Sequence, residues 1–141
     1  MKKKTEVLKF EISSSLSELR TVEKISNKIS KKMKLSEDQR DNLAIALTEI
    51  AGNAIVHGNK LDKSKTISIV FKLWDDKLEC SVTDSGKGFN LENLDNPLHP
   101  ENILKESGRG VFIVKQLMDS VSYSFSSEGT TVNFSLIKNK K

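Results

Sequence analysis

The chain has 141 residues, 30% of them charged and 36% hydrophobic, with a formal net charge of +4, which suits one soluble domain spanning residues 1–141. Six lysines in the basic tails, residues 1–4 and 138–141, account for more than the whole net charge, which argues against a nucleic-acid binder. No apolar run follows the basic start and none approaches ~18 residues, so the sequence predicts neither a signal peptide nor contact with a membrane.

The first half of the chain contains one predicted strand and two predicted helices. Residues 6–12 alternate apolar and polar side chains, which predicts a strand. Residues 15–33 repeat apolar residues at helical spacing, which predicts an amphipathic helix. The stretch SEDQ, which begins at Ser36, matches a capping box at the start of a second helix. We expect this helix to run to about His57, with Gly58 as its C-terminal stop.

The second half of the chain contains four predicted strands, a long loop and one helix. Apolar residues alternate in four runs, 67–73, 78–82, 121–125 and 132–136, with turns at 75–77 and 127–129. Residues 90–107 lack periodicity and form a predicted loop, which a helix from about Arg109 to Asp119 follows. Five strands with one apolar face and three helices predict an α+β fold, a two-layer sandwich with a mixed, mainly antiparallel sheet.

Cys80 is the single cysteine of the chain. It cannot form an internal disulfide bond, which is typical of a reducing compartment, and we expect a cytoplasmic protein. Because it alternates with Leu78 and Val82, we expect it to be a small residue of the core.

Glu49 and Asn53 are the first candidate pair for a functional site. They lie four residues apart on the second predicted helix, so they share a face, at the edge of its apolar stripe. Asparagine is a weak choice inside a helix, which favours a role for it in a site. The alternative is an ordinary surface pair on the helix.

Asp84 is the second candidate, at the end of a predicted strand. Gly86 and Gly88 follow it in the stretch TDSGKGFN, and glycine lets the backbone approach a ligand closely. An ionised carboxylate only accepts hydrogen bonds, so it suits the amino group of adenine and rejects the carbonyl of guanine. The alternative is a common polar turn.

The third candidate is a second Gly-x-Gly, formed by Gly108 and Gly110, which opens a predicted helix. Free amides at a helix N-terminus attract phosphate. Arg109 either adds positive charge there or is a solvated side chain. Lys105, in the preceding loop, is a weaker candidate for the same role.

Four stretches of the sequence together resemble a known family. In chain order they are LTEIAGNAIVHGN, VTDSGKGFN, GRGVFIVKQLMD and EGTTVNFSL. This series resembles the Bergerat-type ATP-binding domain of the GHKL superfamily, which includes gyrase-type ATPases, Hsp90 chaperones, histidine kinases and MutL. The sequence is most similar to the small anti-sigma-factor serine kinases of bacteria, because the domain stands alone and its asparagine box runs into His57 and Gly58.

The resemblance implies a role for each residue that matches the family pattern. Glu49 would be the general base, Asn53 the Mg²⁺ ligand and Asp84 the carboxylate that reads adenine. Further residues would bind the nucleotide: Gly86, Gly88 and Thr130 around the adenine, and Gly108 and Gly110 in the phosphate loop, with residues 90–107 as its lid. Arg20, on the first helix, would contact a partner protein.

The same resemblance implies an ATP-dependent protein serine kinase that acts as an anti-sigma factor in a partner-switching circuit. Its cofactors would be ATP and Mg²⁺. Its substrate would be an anti-anti-sigma (STAS-type) protein, its second partner a sigma factor, and the kinase a homodimer. The alternative is an ATP-binding partner-switch module that transfers no phosphate. A third hypothesis, a basic accessory protein without a nucleotide site, fits poorly with the four ordered stretches.

Overall fold

The structure, a computed structural model, describes residues 4–85, 108–126 and 129–138. Five strands are present in this part of the chain: β1 (Lys4–Ser13), β2 (Thr66–Trp74), β3 (Lys77–Asp84), β4 (Ser120–Ser126) and β5 (Gly129–Ile137). The three α-helices are α1 (Leu19–Met33), α2 (Glu37–Asn53) and α3 (Gly108–Leu117). The predicted loop at 90–107 lies outside the described residues.

The strands form one five-stranded sheet in the order β1-β2-β3-β5-β4. Every strand pairing in it is antiparallel, whereas the sequence predicted a mixed, mainly antiparallel sheet. The last of the described strands, β5, therefore lies inside the sheet, between β3 and β4. This position brings the C-terminal strand against the strand that ends at Asp84.

The core lies between the sheet and a layer of helices on one of its faces, which confirms the predicted two-layer α+β sandwich. Along β2 and β3 every second residue is buried, because the side chains of a strand alternate between its two faces. Helix α2 is the middle helix and packs against both α1 and α3. Cys80 is a free, buried cysteine of this core, as predicted.

Helix α2 begins as the capping box predicts, because the side chain of Ser36 accepts a hydrogen bond from the backbone N–H of Gln39 at 3.2 Å. The side-chain amide of Gln39 donates to the carbonyl oxygen of Ile137 at 2.7 Å. The first turn of α2 is thereby tied to the end of β5, a contact that the local sequence does not predict.

The end of helix α2 differs from the prediction. The α-helix ends at Asn53 and continues as a single π-helical turn, Ala54–Gly58, with a hydrogen bond from the N–H of Asn59 to the carbonyl of Ala54 at 2.8 Å. Gly58 is the last residue of this helical segment, as predicted, but its φ is not positive. The left-handed residues that follow the helix are Lys60 and Leu61, with φ of 54° and 62°.

Among the helices of the described ranges, none combines the length and the apolar character needed to cross a lipid bilayer. Helix α2 has two acidic residues, Glu37 and Asp38, in its first turn. Acidic residues at that end are favoured by the helix dipole.

Candidate functional site

Asp84 is the last residue of a buried row on β3. Leu78, Cys80 and Val82 precede it on the same face and are buried in the core, and the Asp84 side chain is itself only 4% exposed. Because burying a charge is costly unless it accepts hydrogen bonds, a carboxylate at the end of an apolar row needs donors around it. Its position places a hydrogen-bond acceptor where the core meets the end of the sheet.

One of these donors comes from β5. The backbone N–H of Thr130 donates to Oδ1 of Asp84 at 3.2 Å. The neighbouring pair, Thr83 and Thr131, lies opposite each other in the β3–β5 register, and their hydroxyls are 3.0 Å apart. The pairing of the two strands therefore orients the Asp84 carboxylate.

Two glycines enclose the same side chain. A Cβ atom on Gly58 would lie 2.5 Å from Cγ of Asp84 and still closer to its Oδ2. A Cβ atom on Gly129 would overlap the carbonyl oxygen of Asp84 and lie 3.1 Å from its Oδ1. Asp84 is thus packed directly against the π turn on one side and against the start of β5 on the other.

Glu49 and Asn53 lie on the helix that leads into this contact. Both are half-buried and lie one turn apart on α2, and Asn53 is the last residue before the π turn that carries Gly58. π-helical turns inside helices occur frequently at functional sites. In chain order, Glu49 and Asn53 thus come before the π turn whose last residue, Gly58, contacts Asp84.

Helix α3 begins at Gly108, so the second Gly-x-Gly opens a helix, and the helix packs against α2. Its amides at this end are a suitable environment for an anion. Arg109 and Gly110 lie in its first turn, and Arg20 lies exposed in the first turn of α1. Gly86, Gly88 and Lys105 lie outside the described residues.

Sequence reasoning missed Asn59, which is 1% exposed. Its side-chain amide donates to the hydroxyl of Ser14 at 2.7 Å and to the carbonyl of Thr66 at 3.1 Å, and Ser14 donates to the carbonyl of Lys65 at 2.8 Å. These bonds join the end of the π turn to β1 and β2. An asparagine directly after Gly58 was the available signal, but its burial depends on strands far away in the sequence.

Within the described ranges, the metal-ligand chemistry of the site can be compared with that of a protein-built metal centre. Among the residues that the structure describes, no three His, Cys, Asp or Glu side chains are grouped to hold a metal ion. Mg²⁺ is commonly bound by one or two protein oxygens together with substrate phosphates. A half-buried asparagine oxygen, as in Asn53, fits that pattern, and Asp84 fits the role of an acceptor for a neutral donor group.

A family model described as the histidine kinase-like ATPase domain matches residues 12–136 of the chain. Among characterised proteins, the serine-protein kinase RsbW of Bacillus licheniformis is 33% identical over 119 residues, which cover 80% of this chain and 74% of that protein. RsbW of Bacillus subtilis strain 168 is 32% identical over 99 residues, covering 66% of this chain and 62% of that protein.

Two solved structures share the fold. The RsbU and RsbW domains of a Mycobacterium tuberculosis protein superpose with a TM-score of 0.70 at 17% identity, covering 96% of this chain and 33% of that one. The mycobacterial sensor histidine kinase MprB gives a TM-score of 0.55 at 14% identity, covering 94% of this chain and 99% of that one. At these identities the two likenesses support the fold alone.

Proposed function

The chain belongs to the histidine kinase-like ATPase domain family, and from that premise we propose that it is an ATP-dependent protein serine kinase that acts as an anti-sigma factor. The observation that carries the proposal is the match to serine-protein kinases at 33% identity over 80% of the chain. The packing of Asp84 at the end of the core adds support, because it holds a buried acceptor at the place where the resemblance puts adenine.

In this proposal the Asp84 carboxylate accepts a hydrogen bond from the amino group of adenine. The carboxylate is nearly fully buried, so its hydrogen bonds are little weakened by competing water. Thr130 and the glycines Gly86 and Gly88 line the adenine. Gly108, Arg109, Gly110 and Lys105 bind the phosphates, and residues 90–107 form the lid.

Asn53 is the proposed protein ligand of Mg²⁺, which would also bind phosphate oxygens and neutralise their charge during transfer. Glu49, one turn earlier on α2, is the proposed general base that accepts the proton of the substrate serine hydroxyl. Positioning and charge neutralisation account for most of the catalysis of phosphoryl transfer, and a single helix, α2, positions both residues.

The proposed partners are an anti-anti-sigma (STAS-type) protein, phosphorylated on serine, and a sigma factor that the kinase binds as a homodimer. Arg20 supports this part, because its exposed position at the start of α1 makes it available to a partner protein. A cytoplasmic location agrees with these partners. No part in binding nucleic acid or membranes is proposed.

The test is transfer of labelled phosphate from ATP, with Mg²⁺, to proteins in an extract of the source organism. We expect the wild type to label a small protein on serine, and Glu49→Gln to label it about a hundredfold more slowly while ATP binding is retained. Glu11→Gln, on the exposed side of β1, is the matched control and should label like the wild type.

The outcomes separate the hypotheses. Labelling by Glu49→Gln at the wild-type rate would remove the general-base role. ATP binding by the wild type without a labelled protein would favour the alternative function, a partner-switch module that binds ATP without transferring phosphate. The role of Asn53 is tested in the same preparation, since Asn53→Ala should abolish the increase in ATP affinity that Mg²⁺ produces.

A further inference from the structure

The glycine at position 58 is not required by its own backbone. Among the described glycines, only Gly129 has a positive φ, at 146°, so the backbone at Gly58 is open to any L-amino acid. Alanine would also be favoured over glycine by helix propensity. What excludes a side chain at Gly58 is the space it would occupy, and that space is filled by the carboxylate of Asp84.

Gly52, on the same helix, shows the contrast. A Cβ atom on Gly52 would meet nothing within 4 Å. Gly52 and Gly58 lie six residues apart on the same continuous helical segment. Gly52 has open space beside it, whereas Gly58 packs against Asp84. This pair provides a matched comparison within one element.

We propose that Gly58, with Gly129, fixes the position of the Asp84 carboxylate and thereby determines the preference of the site for adenine. Gly58 is a positioning residue in this inference, which rests on the proposed function of Asp84. The π turn delivers Gly58 from one side and β5 delivers Gly129 from the other, while the N–H of Thr130 holds Oδ1 at 3.2 Å. These three contacts together restrict the position of the carboxylate.

An alanine at position 58 would displace the carboxylate by about an ångström, because an ordinary contact for its Cβ needs 3.4 Å or more and Cγ would lie at 2.5 Å. A hydrogen bond weakens steeply with such a change in distance and angle. The bond to Thr130 and the proposed bond to the adenine amino group would both be affected, whereas phosphate contacts elsewhere would remain.

The first experiment compares the dissociation constants of ATP and purine riboside triphosphate, which lacks the amino group of adenine, in the presence of Mg²⁺. We expect the wild type and Gly52→Ala to bind ATP about tenfold more tightly or better, the worth of one hydrogen bond to a charged group. In Gly58→Ala the ratio should approach one. A simple loss of folded protein would lower the binding capacity for both ligands and leave this ratio unchanged.

The second experiment needs no nucleotide. Urea unfolding of Gly58→Ala, Asp84→Ala and the double variant forms a cycle. The cost of Gly58→Ala should be smaller in the Asp84→Ala background, which removes the two nearest contacting atoms and leaves only the Cβ of residue 84, at 2.9 Å. If Gly58→Ala cost the same unfolding free energy in the wild-type and Asp84→Ala backgrounds, the packing relationship would be overturned. If Gly58→Ala kept the wild-type ratio of the two dissociation constants, the role of Gly58 in selectivity would be overturned. Absence of ATP binding by the wild type would overturn the proposed function while the cycle still reports on Gly58.

Discussion

The backbone N–H of Thr130 donates a hydrogen bond to Oδ1 of Asp84 at 3.2 Å, although the two residues are 46 positions apart in the chain. The bond forms only when β5 lies beside β3 in the observed register, with Thr83 opposite Thr131. A shift of one residue would turn every side chain of β5 to the other face of the sheet. The orientation of the buried carboxylate is therefore a property of the sheet as a whole.

Asp84→Asn tests the proposed base-reading role. The amide keeps an oxygen for the Thr130 bond, but it removes the charge and can present an NH₂ group that donates to a carbonyl. We expect ATP affinity to fall about tenfold and the preference for ATP over GTP to shrink, as measured by titration calorimetry. Glu11→Gln is the charge-matched control, and an unchanged ATP-to-GTP ratio in Asp84→Asn would contradict the assignment.

Asn59→Ala tests the link between the π turn and the two strands that it contacts. The substitution removes two hydrogen bonds and leaves the buried Ser14 hydroxyl with one partner fewer, so we expect a loss of about 2–3 kcal/mol in the free energy of unfolding in urea. Asn27→Ala, at an exposed position of α1, should cause no loss, because it breaks no buried hydrogen bond and alanine has the higher helix propensity. Similar effects of the two substitutions would contradict the structural role.

Ser26→Ala is expected to stabilise the protein. Ser26 is fully buried on α1, and its hydroxyl has no hydrogen-bond partner among the described residues. Removing an unsatisfied buried hydroxyl and gaining helix propensity should together add about 1 kcal/mol to the free energy of unfolding. Ser30 is also buried, and its hydroxyl likewise has no hydrogen-bond partner among the described residues, so Ser30→Ala should have the same effect. A loss of stability in either variant would contradict the prediction.

Because of Cys80, we expect the stability of the protein to fall at alkaline pH. Burial raises the pKa of its thiol well above the ordinary value of 9.0, so the folded state keeps its proton after the unfolded state has lost it. Stability is therefore fully present below pH 9.0 and falls as pH rises from there towards the folded-state pKa. Urea unfolding at pH 7.5 and 10 should show an extra loss of about 1.4 kcal/mol in the wild type compared with Cys80→Ala, and equal losses would contradict it.

The strands and helices could be predicted because their signals are local. The alternation along β2 and β3 and the cap at Ser36 depend on neighbouring residues, and the structure confirms both. The π turn at Ala54–Gly58 could not be predicted, since its apolar residues suit an α-helix equally well. The turn contacts β3 and β5, and no local pattern encodes these contacts.

Some features of the candidate site could likewise be predicted from the sequence, and others could not. Glu49, Asn53 and Asp84 could be selected from the sequence because residue type and spacing mark them. Gly58 ends the helical segment, as predicted, but the sequence did not predict that this glycine makes room for a side chain 26 residues later. The bond from Thr130 to Asp84 likewise needs the β3–β5 pairing, which alternation alone does not specify. The catalytic and binding roles of these residues remain predictions.

The position of β5 inside the sheet has a consequence for synthesis on the ribosome. Strand β3 and the whole of α2 emerge before residues 129–137, yet β3 lacks its second neighbour until they arrive. A nascent or prematurely terminated chain therefore exposes an unpaired central strand, the kind of edge that promotes aggregation. Asp84 receives the amide that orients it only after Thr130 has been made, so a chain that ends before β5 lacks both the β3–β5 pairing and this donor.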